Sequence, residues 1–319
     1  MRTELPADGI DVTVRQLRWE AEGVVSVELQ PSGGGLLPSW TAGSHIDLVL
    51  PTGIKRQYSL CGPVGERSYY RIGVRRERTS RGGSEYVHAF LRPGQRLMLA
   101  GPRNTFELHD ATSYLFVAGG IGITPILPMV RQAEARGLDW QLLYGGRTAT
   151  SMPFLDELRG YGPRVRFHPS DADGRIPLGA HFAKVRPGMK IYACGPQALL
   201  TALQDAVAHW PADSLHLERF KPRSRGPSTE DKAVEVVCAA SGKTVNVEAG
   251  QSILAALDDA GVKVASSCRS GICGACETAV VEGVPDHRDD ILSESERATN
   301  DRMFICVSRA QTPRLVLDV

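Results

Sequence analysis

The sequence predicts a multidomain protein of three successive blocks: an antiparallel β-barrel, an α/β block with a parallel sheet, and an α+β block that holds an iron–sulfur cluster. Three observations carry this reading. Residues 1–110 alternate short strand-like runs with Gly/Pro turns: D-V-T-V-R-Q-L, V-V-S-V-E-L, H-I-D-L-V-L, Y-R-I-G-V-R and R-L-M-L-A. Even spacing of this kind belongs to antiparallel barrels. Residues 111–222 instead alternate apolar strands (Y-L-F-V-A, W-Q-L-L-Y, M-K-I-Y-A-C) with helical stretches at 124–136 and 197–209, as in parallel sheets of nucleotide-binding type. In the last block Cys268, Cys273, Cys276 and Cys306 follow C-x4-C-x2-C…C, the spacing of a plant-type 2Fe–2S cluster. Zinc is the rival metal, but its ligands usually come as two short pairs.

Composition agrees with a globular chain of two or three domains: 319 residues, 42% hydrophobic and 23% charged. There is no run of eighteen apolar residues and no apolar core of a signal peptide in the opening M-R-T-E-L-P-A-D-G-I-D, so the expected location is cytoplasmic. Four of the seven cysteines are assigned to the cluster. Cys61, Cys194 and Cys238 leave an odd remainder, against a disulfide framework. A net charge of +1 gives no general pull toward nucleic acid or membrane. Residues 233–319 carry 8 Lys+Arg against 13 Asp+Glu, and the remainder is basic. Such asymmetry suits electrostatic docking or merely solvated acidic loops.

In the first block, Arg56-Gln57-Tyr58-Ser59 lies on a strand. Its arginine suits a phosphate, its tyrosine a flat ring and its serine a polar edge of that ring. Arg81-Gly82-Gly83-Ser84 precedes a helix candidate, S-E-Y-V-H-A-F-L, where free N–H groups favour an anion. A plain serine cap is the bland alternative.

In the second block, Gly119-Gly120-Ile121-Gly122-Ile123-Thr124-Pro125 follows the first strand. The spacing is G-G-x-G, not G-x-G-x-x-G. Its position at the carboxyl end of the strand is what suggests a pyrophosphate. Cys194-Gly195-Pro196 ends another strand at the same edge. K-P-R-S-R-G-P-S-T-E-D-K then reads as a linker, and V-E-V-V-C with T-V-N-V-E as a hairpin before a helix at 252–260.

In this order R-Q-Y-S-L, R-G-G-S, G-G-I-G-I-T-P, A-C-G-P, H-L-E-R-F and the four cysteines resemble the ferredoxin–NADP reductase superfamily, and within it the phthalate dioxygenase reductase group that includes vanillate demethylase reductases. The resemblance spans essentially the whole chain. It implies an FMN-binding barrel over 1–110, an NAD-binding α/β domain over 111–222, a linker at 223–232 and a β-grasp 2Fe–2S ferredoxin domain over 233–319. It assigns FMN to Arg56, Gln57, Tyr58, Ser59, the strand Gly73-Val74-Arg75, and Arg81, Gly82, Gly83 and Ser84. It assigns the nicotinamide nucleotide to Gly120, Thr124, Arg147, Asp171, Cys194, Gly195 and Pro196, and makes Phe220 the aromatic that covers the flavin. Ser59, Thr124, Cys194 and Phe220 are the expected catalytic positions.

FAD is the alternative flavin. NADH is expected because Asp171 and Asp173 suit a ribose diol, with Arg147 and Arg175 keeping NADPH as the alternative. The implied activity is hydride uptake from NADH and single-electron delivery through the cluster to a Rieske-type oxygenase or demethylase. A cytochrome P450 acceptor and a redox-sensing binding protein are the alternatives. The acidic residues Asp286, Asp289, Asp290, Glu294 and Glu296 are the candidate docking face.

Overall fold

The computed structural model describes residues 9–77, 79–80, 82–223 and 231–319. It divides into two compact units, Met1–Glu218 and Arg219–Val319. The boundary expected near residue 110 therefore falls inside the first unit. Most of the expected linker lies outside the described residues.

The first unit opens with β1 (Ile10–Ala21), β2 (Val24–Pro31), β3 (Ser44–Val49), β4 (Lys55–Ser59), β5 (Tyr70–Arg75), helix α1 (Gly83–Ala89) and β6 (Arg96–Asn104). These strands form one antiparallel sheet in the order β4-β3-β6-β1-β2-β5. Its two edges meet at a Leu60–Ile72 bridge and a Cys61 N–H to Arg71 carbonyl bond of 2.8 Å. Alternate residues of each strand, among them Val12, Val14, Val27, Leu29, Ile46, Leu48, Ile72 and Val74, turn inward to fill the interior.

The chain continues as β7 (Ser113–Gly119), α2 (Ile123–Ala135), β8 (Asp139–Gly146), α3 (Leu155–Arg159), β9 (Val165–Pro169), α4 (Leu178–Phe182), β10 (Met189–Cys194), α5 (Gln197–Ala206) and β11 (Leu215–Glu218). The sheet is wholly parallel, in the order β11-β10-β7-β8-β9. Tyr114, Phe116 and Ala118 face one core while Leu115 and Val117 face the other, which explains why these strands read as unbroken apolar runs. Two strands were not anticipated: β9 and β11 are short, and their half-exposed polar residues break the apolar signal.

The barrel and the parallel sheet meet at an ionic junction. Arg131, on α2, donates through Nη1 to the carbonyls of Cys61 (2.8 Å) and Gly62 (2.7 Å), and through Nε to Glu157 on α3 (2.7 Å). Arg71, on β5, donates to the Cys61 carbonyl (2.9 Å) and to the other Glu157 oxygen (3.1 Å). Burial pushes the Cys61 thiol up to about 11 despite these two cations, so it is an inert packing group.

The second unit holds β12 (Val234–Cys238), β13 (Thr244–Val247), α6 (Ile253–Asp259), β14 (Glu277–Glu282), β15 (Pro285–Asp286), α7 (Glu294–Thr299), β16 (Arg302–Phe304), β17 (Arg309–Ala310) and β18 (Arg314–Leu317). Its mixed sheet runs β13-β12-β18-β14-β16, with β12 and β18 parallel. Ile253, Leu254 and Leu257 of α6 share a core with Val236, Phe304 and Leu315. Ser252 caps α6, accepting from Ala255 N–H at 3.2 Å. Among the described residues no helix is long and apolar enough to cross a membrane.

Arg131→Ala takes its arginine donor from the buried Gly62 carbonyl and leaves the Cys61 carbonyl and Glu157 with Arg71 as the remaining arginine. The expected loss is about 2 kcal/mol, measured as a lower urea midpoint for the first unit; an unchanged midpoint would show that the junction contributes nothing.

Candidate functional site

In the parallel sheet, β8 and β9 lie to one side of β7, and β10 and β11 to the other. The strand order reverses between β7 and β10, which makes the carboxyl ends of these two strands the topological switch point where α/β sheets take ligands. Here Gly119 meets Gly195: a Cβ on Gly119 would stand 2.6 Å from Pro196 Cδ, and one on Gly195 would stand 3.1 Å from Gly119. A Cβ on Gly122 would run into the Cys194 carbonyl. Two glycines of the G-G-x-G motif thus serve chain packing. Gly120 differs, with φ +54° and open space where a side chain would be. Its carbonyl lies 3.1 Å from the buried Tyr144 hydroxyl.

The barrel reaches this edge through β5. A Cβ on Gly73 would be 2.7 Å from the Thr124 methyl. The Thr124 hydroxyl donates to the Ile121 carbonyl at 2.9 Å, so this buried side chain is held by its own turn. Val74 points into the barrel core. Its carbonyl meets His88 Nε2 at 3.0 Å, while Arg75 turns to Glu77 (Nε–Oε1 3.1 Å).

Ser59 and Cys194 come together on a residue that the sequence reading passed over within H-L-E-R-F. The Glu218 carboxyl, at the end of β11, takes hydrogen bonds from the Ser59 hydroxyl and the Cys194 thiol. The residue is half-buried as a whole, but Oε2 is sealed from solvent with no hydrogen-bond partner among the described residues. Burial outweighs both hydrogen bonds and raises the Glu218 pKa to about 8, so the group carries a proton near neutral pH. Its strand was not anticipated, so the sequence signal that could have found it is a carboxylate within the H-L-E-R-F motif.

Arg56 and the Gly82-Gly83 turn also converge. A Cβ on Gly83 would stand 2.7 Å from Arg56 Cγ and Nε. Gly82 takes φ +88° at the helix start, a conformation open to glycine. Ser84 Oγ accepts from Glu77 N–H at 3.1 Å. Gln57 Nε2 is buried without a hydrogen-bond partner among the described residues. The Tyr58 phenol is pushed up to about 12 by burial, against the pull of Arg56. Arg81 lies outside the described residues.

Arg147 and Asp171 are exposed beyond the ends of β8 and β9, joined by an Asp171 N–H to Arg147 carbonyl bond of 3.1 Å. Phe220 belongs to the second unit and is 42% exposed.

In the second unit the four cysteine thiols contact one another in pairs: Cys268 with Cys273, Cys276 with Cys306, and Cys268 also with Cys306. Hydrogen bonds from Cys273 and Cys306 hold Cys268 well below the usual thiol range, and those two thiols lie well above it. Four thiolates so crowded require cationic partners. The Cys268–Cys273 and Cys276–Cys306 contacts suit two irons with two thiolates each, joined across the Cys268–Cys306 contact.

Backbone donors are already aimed at sulfur, with Ser270 N–H to Cys268 at 3.3 Å and Ala275 N–H to Cys273 at 3.5 Å. Arg269 takes φ +50° and Gly271 φ +72° in this loop. A Cβ on Gly271 would lie 2.6 Å from Val307 Cγ2.

Four of the five residues of the acidic segment have partners within the unit, and Glu294 is exposed. Asp289 is fully buried, accepting from Ile291 N–H (2.9 Å) and Leu292 N–H (2.7 Å). Asp290 pairs with Arg223, Asp286 with Arg288, and Glu296 caps α7 and pairs with Arg302. An acidic count does not record such partners.

Because the folded state keeps Glu218 protonated to about pH 8, its contribution to stability is fully present below the ordinary carboxyl pKa of about 4.3 and is lost as pH rises through about 8. Glu218→Gln should gain on the wild type in urea midpoint between pH 5 and pH 8. A constant difference across that range would place the carboxyl in contact with water.

Comparison with known proteins agrees with this geometry. A family described as the 2Fe-2S iron-sulfur cluster binding domain matches residues 236–311. Tetrachlorobenzoquinone reductase of Sphingobium chlorophenolicum is 41% identical over 98% of this chain and 99% of that one. Phthalate dioxygenase reductase of Burkholderia cepacia is 38% identical over 94% of each. The solved phthalate dioxygenase reductase, titled a modular structure for electron transfer from pyridine nucleotides to [2Fe-2S], is similar with a TM-score of 0.70 at 36% identity, covering 98% of both chains. An intact type IV self-sufficient cytochrome P450 monooxygenase is similar with a TM-score of 0.93 at 42% identity, covering 98% of this chain but 41% of that one. With the reversed-order sheet edge in one unit and the paired cysteines in the other, matched along nearly the full length of both chains, the protein belongs to the phthalate dioxygenase reductase family of oxidoreductases.

Proposed function

We propose that the protein is an NADH-dependent iron–sulfur flavoprotein reductase that delivers single electrons to a Rieske-type oxygenase or demethylase in the cytoplasm. The observation that carries the reading is the paired arrangement of Cys268 with Cys273 and Cys276 with Cys306. It is joined in one chain to a barrel that meets a parallel sheet at its switch point. Domain roles follow: barrel for flavin, parallel sheet for NADH, second unit for the cluster.

Bound FMN would accept hydride from NADH and release electrons singly, and a 2Fe–2S cluster would carry them one at a time. The residues present fit both groups. Arg56 and the Gly82-Gly83 turn would hold the FMN phosphate. Arg81 and Ser84 belong to the same proposed cradle. Gln57 offers an unused buried donor, and Tyr58 offers a ring face beside it. Gly73 leaves β5 without a side chain where it meets Thr124. Glu218 holds a proton between Ser59 and Cys194, which suits the three to proton handling. Gly120, Gly195, Pro196, Arg147 and Asp171 border the edge proposed for NADH, with Phe220 as the aromatic cover. The N–H groups of Ser270 and Ala275 soften charge on the cysteine sulfurs and so favour the reduced cluster.

A P450 acceptor is the second reading, favoured by the close likeness to the self-sufficient monooxygenase. Reconstitution with each class of acceptor separates the two by which one turns over.

Anaerobic titration with NADH should bleach both flavin and 2Fe–2S bands at about one and a half equivalents; flavin bleaching alone would overturn the relay. Arg56→Ala should weaken FMN by about 1.5–3 kcal/mol, roughly 10- to 150-fold in Kd, measured by flavin fluorescence; unchanged affinity would remove Arg56 from the phosphate site.

A further inference from the structure

The cysteine loop is gripped from outside by a strap that the relay does not use. Residues 285–292 run from β15, which pairs with β17, to the start of α7. Asp290 N–H donates to the Gly271 carbonyl at 2.9 Å. A Cβ on Gly271 would lie 3.1 Å from Asp289 Cα on one side and 2.6 Å from Val307 on the other. Gly271 is therefore wedged between the strap and the residue after Cys306. Three ligands stand on its own loop, and the fourth adjoins Val307.

The same strap also holds Arg223 and Asp231. Arg223 grips the Asp290 carboxylate twice, from its backbone N–H (2.8 Å) and from Nε (2.5 Å). Asp231 pairs with Arg288 at 2.5 Å, and Arg288 also holds Asp286. The Asp290 side chain is 3% exposed, so its contact with Arg223 is sheltered on the carboxylate side. A sheltered, two-point, charge-assisted contact positions its partners more firmly than a surface pair.

We propose that Arg223 and Asp290 form a positioning latch for the cluster. The latch seats the strap on Gly271, holds the N–H groups of the loop on the cysteine sulfurs, and so sets the reduction potential of the cluster from the point where the chain enters its unit. This rests on the 2Fe–2S reading of the four cysteines. Loosening the strap weakens donation to sulfur and disfavours the added electron.

The test uses the full-length protein with its cofactors and compares Arg223→Ala, Asp290→Asn, Arg223→Lys and the double variant R223A/D290N. The readouts are the cluster midpoint potential, by spectroelectrochemical titration, and the EPR spectrum of the reduced cluster. The latch requires the Ala and Asn variants each to disfavour cluster reduction about tenfold, a shift of about 59 mV, with changed g values. The double variant should shift no further than either single one, and Arg223→Lys should shift less. Wild-type potentials and spectra in cluster-loaded variants overturn the latch, as does an additive double variant. Where Asp290→Asn does not retain its cluster, Arg223→Lys and Arg223→Ala decide by the same criterion. Absence of any cluster signal in the wild type overturns the cysteine reading, and the latch with it.

Discussion

The arrangement of the first unit depends on one ionic junction. Arg131 and Arg71 share Glu157 and converge on the Cys61 carbonyl. In doing so they bind a barrel strand, the first helix of the parallel sheet and a short helix beyond its second strand. The partners are partly buried, so each charge needs the others: removing one leaves an ion or a carbonyl without compensation. With this register held, Gly73 can lie against Thr124, and the Ser59 hydroxyl at the end of β4 can reach a carboxyl at the end of β11.

Both candidate sites hold polar groups at a cost that the protein alone does not offset. Glu218 keeps its proton because desolvation outweighs two hydrogen bonds. The cysteines crowd one another, thiol against thiol. Folds carry such conflicts where function needs them. The two conflicts differ in kind. At Glu218 a proton is retained on a carboxyl whose Oε2 is sealed from solvent. At the cysteines negative charge is concentrated among backbone donors, an arrangement complete only with metal.

Much of the fold was legible because its signals are local. Turn-bounded strands in the first block, strand–helix alternation in the second and a hairpin in the third each follow from the pattern of neighbouring residues. β9 and β11 escaped because short half-exposed edge strands lack that pattern. The glycine motif was legible in position but not in role: Gly119 and Gly122 make room for the neighbouring strand's chain, and only Gly120 stays open. The acidic stretch was legible as charge but not as pairing, because charge counts do not record partners. Asp289, Asp290 and Glu296 are occupied by backbone donors and arginines from elsewhere in the unit.

The sequence by itself determined the cluster ligands and the three kinds of architecture, because ligand spacing and hydrophobic period are written within short stretches of chain. Tertiary structure alone decided which distant residues meet. Ser59, Cys194 and Glu218 come from the barrel, the fourth strand of the parallel sheet and its last strand. No periodicity relates residues so far apart in the chain; only packing brings their ends together. The same holds in the second unit, where the grip of Arg223 on Asp290 and the wedge at Gly271 arise from long-range contacts.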